Sequence, residues 1–165
     1  MSNGYESNED RRTKPFRLWL CALFVTEIML LATPYIAAVL EDGSYHSRTV
    51  IEIILGMDSE NVATIKLGIL AIIFTVIPVA GFLFSAFDKN GYVKSIADCI
   101  CSFLGIAVIT FVVPQFSSEL AIGAMISMLL YLVIFALSVA VALKTMGVRA
   151  YNKAEEERSR EHNEA

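Results

Sequence analysis

Four long apolar segments constrain the fold of this chain more than any other feature of its sequence. They cover residues 18–40, 65–87, 95–113 and 120–143. The hydrocarbon core of a bilayer is about 30 Å thick, and an α-helix needs about 20 apolar residues to cross it. Because each segment has about that length, the sequence predicts an all-α integral membrane protein in which four transmembrane helices form one bundle.

The composition favours a single membrane domain with short tails. Of the 165 residues, 56% are hydrophobic and 18% are charged, whereas soluble domains average about 45–50% apolar and about 25% charged residues. We expect a disordered basic tail over residues 1–17, a membrane domain over residues 18–143 and a charged tail over residues 144–165. The first apolar segment is longer than the apolar core of a signal peptide, so we interpret it as an uncleaved helix.

The connection between the first two predicted helices, residues 41–64, is the longest of the three. It contains an apolar segment, residues 50–55, that is too short to cross a bilayer. This segment either lies along the membrane interface as an amphipathic turn or two, or it caps the outer side of the bundle. A strand is a third option, although an isolated strand leaves its backbone groups unpaired.

Basic residues predict the orientation of the helices. All of the 13 lysines and arginines except Arg48 and Lys66 fall in the two tails or in the second connection, residues 88–94. Cytoplasmic segments carry an excess of basic residues, so we expect both termini on the cytoplasmic side of the plasma or cytoplasmic membrane. The basic collars over residues 11–17 and 144–160 should also attract anionic lipid headgroups, which makes the bilayer a predicted partner.

One carboxylate, Glu27, interrupts the first apolar segment. It lies about nine residues in, or roughly 14 Å deep at about 1.5 Å per residue, where a charged side chain costs about 2.5–3.5 kcal/mol. Tyr131 in the fourth segment and Thr75 in the second lie at a matching depth. Two roles remain open for Glu27. It is either a site for a proton, a cation or a cationic substrate, or a neutral carboxylic acid that is hydrogen-bonded to another helix or to a partner subunit.

This layout is similar to that of the small multidrug-resistance transporters, which also have four spans with a glutamate in the first. The resemblance is one of layout, carried by Glu27 without a surrounding motif. The chain departs from that family in its long first connection, its long tails and its strong charge asymmetry.

Asp98 and one face of the fourth segment are the other polar features of the predicted bundle. Asp98 shares a helix face with Ser102 and Gly105 at i, i+4 and i+7 spacing, which would point into the bundle. Alternatively, Asp98 is an interfacial acid near Lys94. The fourth segment has a packing face of small and hydroxyl residues, which either builds the bundle or docks a larger partner. That face contains Gly123, Ser127, Ser138 and Ala142, with Tyr131 on the same stripe.

The sequence contains no residue pattern for catalysis, metal binding or cofactor binding. Cys99 and Cys101 are two residues apart and therefore point to roughly opposite sides of a helix, and both histidines, His46 and His162, fall outside the apolar segments. There is no glycine-rich phosphate loop and no nucleophile with a base at a useful spacing. We therefore predict no metal, no cofactor and no enzymatic activity. The net charge of −4 gives no basis for a nucleic-acid partner.

Two functions from different classes remain. The chain is either a non-enzymatic accessory or scaffold subunit of a membrane complex, or a small oligomeric transporter or channel that uses Glu27. The first follows from the lack of a polar pathway and from charged tails suited to docking, and we expect a homo- or hetero-oligomer. The variant Glu27→Gln discriminates between the two, because in a transporter it should abolish a flux while insertion and assembly persist.

Overall fold

A computed structural model describes residues 3–39, 45–55, 62–87, 91–115 and 119–164. Four long helices dominate the structure, with a small sheet and a short helix at one end of the bundle. In chain order the elements are α1 (Asn3–Leu30), β1 (Pro34–Val39), β2 (Tyr45–Thr49), α2 (Val50–Ile54), α3 (Val62–Phe87), α4 (Gly91–Ala107), β3 (Glu119–Leu120) and α5 (Ile122–Glu164).

Within these ranges, two helical segments are long and apolar enough to cross a membrane. They are Ser95–Val112, in α4 and the turn that follows it, and Ile122–Arg160, in α5. A shorter apolar stretch, Ala71–Ala86, lies in α3. The chain is therefore mostly helical with two candidate transmembrane helices, and the four-span topology with cytoplasmic termini stays a prediction.

Helix α4 is continued by a π-helical turn, Val108–Val112, and by a 3₁₀ turn, Val113–Gln115. Pro114 explains the change in helix type, because it lacks the N–H that an α-helix would pair with the Thr110 carbonyl. The helical turns thus reach Gln115, two residues beyond residue 113, where the third span was predicted to end.

Helix α1 ends at Leu30, well before residue 40. The prediction of a helix over residues 18–40 was therefore wrong beyond Leu30, and residues 34–39 form strand β1 instead. Pro34 is the cause, since it has no backbone N–H and disfavours the helical conformation at Thr33. The Thr33 hydroxyl donates to the Leu30 carbonyl at 2.6 Å, which satisfies one of the carbonyls left open at the helix end.

The three strands form one antiparallel sheet in the order β2-β1-β3. In its register, Ala37 of β1 lies opposite Ser47 of β2, and Ile36 lies opposite Leu120 of β3. The connection after α1 and the connection before α5 therefore meet in one sheet, and β1 is paired on both sides. The all-α prediction was wrong here, because it treated the apolar residues of β1 as the end of a helix.

Helix α2 accounts for the apolar segment at residues 50–55. Its N-terminus has a capping box, in which the Thr49 N–H donates to Glu52 Oε2 at 2.8 Å and the Glu52 N–H donates to the Thr49 hydroxyl at 3.1 Å. The backbone hydrogen bond from Thr49 is the main cause that holds the pKa of the Glu52 carboxyl below its usual range. Val50 and Ile53 are buried in the core and α2 contacts α3, so this segment packs onto the bundle.

Both tails are helical in the structure. Residues 3–17 form the first part of α1, so the prediction of a disordered N-terminal tail was wrong over the residues described. A helix that is already nucleated in an apolar span extends at low cost. Helix α5 has 43 residues, or about 64 Å at about 1.5 Å per residue. Its charged end contains an ion pair between Lys153 and Glu157 at 4.0 Å.

Three glycines permit close contacts inside the bundle, and a Cβ atom at the first of them, Gly81 of α3, would collide with the Phe24 ring of α1. A Cβ atom at Gly105 of α4 would lie 2.6 Å from Cζ of Tyr131 in α5, so the tyrosine ring rests directly on the glycine. A Cβ atom at Gly123, near the start of α5, would collide with the Thr33 hydroxyl and the Pro34 carbonyl. Gly105 thereby brings α4 onto α5, and Gly123 brings the start of β1 onto α5.

Candidate functional site

Glu27 lies on the inward face of α1. Leu20, Phe24 and Leu31 share this face at spacings of three and four residues, and all three are buried. The Glu27 side chain is 0% exposed. The helical period that buries these apolar neighbours therefore also encloses the carboxyl group in the bundle.

A chain of two hydrogen bonds connects Glu27 to two other elements. The Ser127 hydroxyl of α5 donates to Glu27 Oε2 at 2.5 Å. The Tyr35 hydroxyl of β1 is hydrogen-bonded to the same Ser127 oxygen. A serine hydroxyl has one hydrogen, and Ser127 uses it in the hydrogen bond to Glu27. Ser127 therefore accepts the second hydrogen bond, and Tyr35 is its donor. The chain of bonds thus ties β1, α5 and α1 together.

Tyr35 is held in place by a ring contact and by the close approach of β1 to α5. Its ring packs edge-on against Phe74 of α3, with 5.2 Å between the ring centroids and an interplanar angle of 66°. Gly123 lies one turn before Ser127 on α5 and faces the start of β1 at Pro34. A larger residue at position 123 would push β1 away from α5 and would separate Tyr35 from Ser127.

The second carboxyl oxygen of Glu27, Oε1, is buried without a hydrogen-bond partner among the described residues. Tyr131 lies one turn beyond Ser127 on α5 and is buried. Leaving a buried polar atom unsatisfied costs about 1–3 kcal/mol. Glu27 therefore has one oxygen that is satisfied and one that is open to a proton, a water molecule or a ligand.

Tyr131 is buried one turn from Ser127, whereas Thr75 has a partner in its own helix. The Thr75 hydroxyl donates to the Ala71 carbonyl of its own helix at 3.0 Å, a bond that threonine often makes inside helices. Depth was the only basis for selecting Thr75, and depth does not fix the direction in which a side chain points. Ser127, which the sequence assigned to helix packing, is the residue that donates to Glu27.

Tyr35 is the site residue that the sequence analysis missed. It fell within the predicted first helix, so no contact with the fourth segment was expected. The available signal was Pro34 followed by Tyr35 and Ile36, because a proline before aromatic and β-branched residues indicates the end of a helix and the start of an extended segment.

Asp98 is 1% exposed and lies inside the bundle. Ser102, one turn further along α4, is also buried, and its hydroxyl donates to the Asp98 backbone carbonyl at 2.8 Å. This burial agrees with the interpretation in which Asp98, Ser102 and Gly105 share an inward face, and the Lys94 side chain lies outside the described residues.

The packing face of α5 also lies inside the bundle. Gly123, Ser127 and Ser138 are buried, and Ala142 is half-buried. Ser138 Oγ has no hydrogen-bond partner in the described part of the chain. Helices α4 and α1 are in contact with α5, so this face is used for contacts within the chain.

The polar groups that the hydrogen bonds join to Glu27 are the Ser127 and Tyr35 hydroxyls. Among the residues with described side chains, no group of three or more His, Cys, Asp and Glu residues is placed to hold a metal ion. Cys21, Cys99 and Cys101 are free thiols. Carboxyl and hydroxyl groups both donate and accept hydrogen bonds, so holding and passing protons is the chemistry that these residues can perform.

No protein-family model, curated protein or solved structure matches the chain. A known active site therefore offers no guide to its chemistry. The function has to be inferred from the residues around Glu27 and from the architecture that positions them.

Proposed function

We propose that the chain is a four-span membrane protein with both termini in the cytoplasm, and that it acts as a non-enzymatic accessory or scaffold subunit of a membrane complex. The observation that carries this proposal is the hydrogen-bonded chain from Tyr35 through Ser127 to Glu27. It uses the central polar residues to fix a sheet onto a helix bundle, which is a structural task. A substrate site would instead direct such groups into a cleft.

The outward faces of the helices support four spans. Large apolar side chains are exposed on α1, at Val25 and Met29, and on α3, at Ile72 and Val76. Helix α5 also exposes large apolar side chains, for example Leu129. A continuous apolar surface of this kind is costly in water and is expected of a protein that contacts lipid or a partner. On this proposal α1 and α3 are the two spans in addition to α4 and α5.

The two ends of the bundle offer different surfaces to partners. At the sheet end, α2 exposes Ile51, Ile54 and Leu55. At the other end, α5 continues as an exposed, charged helix, and Lys144 Nζ lies 5.0 Å from the centroid of the Phe16 ring in α1. We also propose anionic lipid headgroups as partners of the basic collars, because each basic residue near the surface contributes about 1 kcal/mol to such binding.

The mass and composition of the intact complex test the accessory role. A tagged chain is extracted from native membranes in mild detergent, and the complex is weighed by native mass spectrometry beside an unrelated tagged four-span protein. A second membrane protein at a fixed stoichiometry, absent from the control, is the expected result. A homo-oligomer alone, with a flux in liposomes that depends on Glu27, would overturn the accessory role.

A second candidate function, a small oligomeric transporter or channel, is favoured by Glu27 Oε1. This oxygen is buried and has no partner in the part of the chain that the structure describes, and ionisable groups inside a membrane often mark transport sites. A transporter should lose its flux in both Glu27→Gln and Glu27→Leu, and it should still assemble in Glu27→Gln. If neither variant changes flux or complex formation, Glu27 has neither role.

A further inference from the structure

Buried polar groups continue from Glu27 along the contact between α4 and α5. On α4, Asp98, Cys101 and Gly105 follow one another at spacings of three and four residues, and the Tyr131 ring of α5 rests on Gly105. Ser127, the donor to Glu27, lies one turn before Tyr131. These side chains are all buried, although ionisable groups are costly inside a membrane. We call this row of residues the polar seam, and its members are Glu27, Ser127, Tyr131, Cys101, Ser138 and Asp98.

The contact between Gly105 and Tyr131 fixes the relative level of α4 and α5. The two helices run in opposite directions, and Asp98 precedes Gly105 by as many residues as Ser138 follows Tyr131. At about 1.5 Å per residue, Asp98 and Ser138 therefore lie at the same level, about 10 Å from Tyr131. The seam extends by about 16 Å along α5 from Ser127 to Ser138, or about half of the hydrocarbon core.

Two atoms of the polar seam have an open hydrogen-bonding position. Glu27 Oε1 and Ser138 Oγ are both buried, and both are without a partner among the residues described. Such atoms are rare in folded proteins, and buried water molecules commonly satisfy them. One atom lies at each end of the seam, where a water molecule would extend the row of hydrogen-bonding groups toward Tyr131.

We propose that the polar seam is a proton-relay path, with Glu27 as the proton carrier at its outer end, Asp98 as the carrier at its inner end and Tyr131 between them. This inference goes beyond the accessory role, because a subunit of a larger complex can contain such a path as readily as an autonomous transporter. It also narrows the cargo of the second candidate function to the proton.

The tight packing of the seam favours a proton over a metal cation. The Tyr131 ring rests on Gly105 so closely that even a Cβ atom at position 105 would not fit. A calcium ion takes six to eight oxygen ligands and a magnesium ion keeps several water molecules, which needs more room than this contact allows. A proton needs only neighbouring groups that both donate and accept, and hydroxyls, carboxyls and water all do so.

Each transfer along the seam breaks one O–H or S–H bond and forms another. Glu27 Oε2 already accepts a hydrogen bond from Ser127, so Oε1 is the oxygen that takes up a proton from the outer side. From Oε1 the proton passes through water to the Tyr131 hydroxyl, which releases its own proton to the buried Cys101 thiol of α4 and remains neutral. The thiol passes its proton on to Asp98, one turn closer to the inner end, and Asp98 releases a proton to cytoplasmic water. Glu27 is left as a carboxylate, ready for the next proton.

Proton flux into liposomes tests this path. The full-length chain is reconstituted with a pH-sensitive dye inside the vesicles, and a potassium diffusion potential set by valinomycin drives protons inward. The wild type should acidify the lumen faster than protein-free vesicles. Glu27→Gln keeps an oxygen for the Ser127 hydrogen bond, and it should lower the protein-dependent rate by about a hundredfold, which is typical for loss of a positioned proton-transfer group. Tyr131→Phe and Asp98→Asn should also lower the rate.

Matched controls make the same chemical changes at exposed positions of α5. Glu157→Gln and Tyr151→Phe should keep the wild-type rate, since both side chains face solvent. Circular dichroism and gel filtration verify that each variant is folded. If Glu27→Gln does not fold, the acidification rate of Tyr131→Phe is used instead. A lowered rate in folded Tyr131→Phe supports the relay, and a full rate overturns it.

Three results would overturn the relay. They are a wild-type rate equal to that of protein-free vesicles, a full rate in the folded Glu27→Gln variant, and uptake of sodium or potassium that depends on Glu27 without acidification. The third result would assign a metal cation to the seam and would leave the second candidate function standing. A stable complex with another membrane protein but no flux would remove the relay and leave the accessory role intact.

Discussion

Ser127 Oγ donates a hydrogen bond to Glu27 Oε2 across 2.5 Å, although one hundred residues separate the two in the sequence. The bond joins the first and the last long helix of the bundle, and Tyr35 extends it to the central strand of the sheet. A polar connection inside the core therefore joins the sheet to the bundle. Loss of one partner leaves the others unsatisfied where the dielectric constant is low, so conservative substitutions here should have measurable effects.

Replacing Ser127 with alanine should destabilise the chain by about 1–3 kcal/mol, because Glu27 loses a donor and Tyr35 loses an acceptor while both stay buried. Thermal unfolding in detergent, followed by circular dichroism, measures the change. Ser159→Ala is the matched control on the same helix, since the exposed Ser159 hydroxyl donates to the Glu155 carbonyl at 2.9 Å. It should lie within about 0.5 kcal/mol of the wild type. Equal effects of the two variants would contradict a structural role for Ser127.

Tyr35→Phe should loosen the sheet more than the helices. The variant keeps the ring contact with Phe74 and loses the hydrogen bond to Ser127, at a cost of about 0.5–1.5 kcal/mol. Amide hydrogen exchange should become faster in β1 and β2 and stay unchanged in the centre of α4. The exposed substitution Tyr151→Phe should leave all of these rates unchanged. A uniform increase over the helices would show that the hydroxyl does not act on the sheet.

The same substitution at two glycines should have opposite effects. Gly105→Ala forces a methyl group into the Tyr131 ring, and overpacking of this kind costs about 1–3 kcal/mol. Gly147 is also helical, but a Cβ atom there would meet no other atom within 4 Å, so Gly147→Ala should stabilise α5 by up to about 1 kcal/mol through helix propensity. Thermal unfolding of the two variants provides the comparison. A shift of the same sign in both would argue against the close contact between α4 and α5.

Each apolar segment of the sequence overlaps one of the four long helices, but the segments did not reveal strand β1. Both the end of α1 and the whole of β1 are apolar, and hydrophobicity summed over a window does not separate a short buried strand from a helix. Pro34 was the available signal, because the residue before a proline is biased away from the helical conformation. Pairing of β1 with β3 could not be inferred, since it joins residues that are far apart in the sequence.

The contacts of the candidate site could not be predicted from the sequence. Counting residues predicted that Glu27, Tyr131 and Thr75 lie at one depth. It could not show whether Tyr131 or Thr75 faces Glu27. A hydrogen bond between helices depends on the rotation of each helix about its axis, which the packing of the whole bundle determines. Here α5 makes close contacts at Gly105 of α4 and, through its own Gly123, at Pro34, and in this packing Ser127 faces Glu27.

Glu52 should make the stability of α2 depend on pH. The hydrogen bonds from Thr49 hold the pKa of Glu52 below its usual value, which is about 4.3. A carboxyl whose pKa is lowered by folding contributes stability that is fully present above the unfolded pKa and is lost as the pH falls through the folded pKa. Amide protection factors in α2 should therefore decrease as the pH falls below about 4, and Glu52→Gln should remove this dependence. Protection that is constant over this range in the wild type would exclude a contribution of the Glu52 carboxylate.

Cysteine labelling should place β2 and the end of α5 on opposite sides of the membrane. In a chain whose three native cysteines are replaced by serine, Ser47→Cys and Ser159→Cys each introduce one exposed thiol. Three long helices, α3, α4 and α5, lie between β2 and the tail, so an odd number of spans separates the two positions if each crosses the bilayer. The positive-inside rule puts the tail in the cytoplasm. An impermeant maleimide should therefore label Ser47→Cys in intact cells and Ser159→Cys only after permeabilisation.

The cysteine-free parent chain provides the control for background labelling, and equal membrane levels of the two variants make their signals comparable. The reverse pattern would place both termini outside and would contradict the orientation derived from the basic residues. Labelling of both positions in intact cells would mean that an even number of spans separates them. In that case one of α3, α4 and α5 does not cross the bilayer, and the four-span topology is wrong.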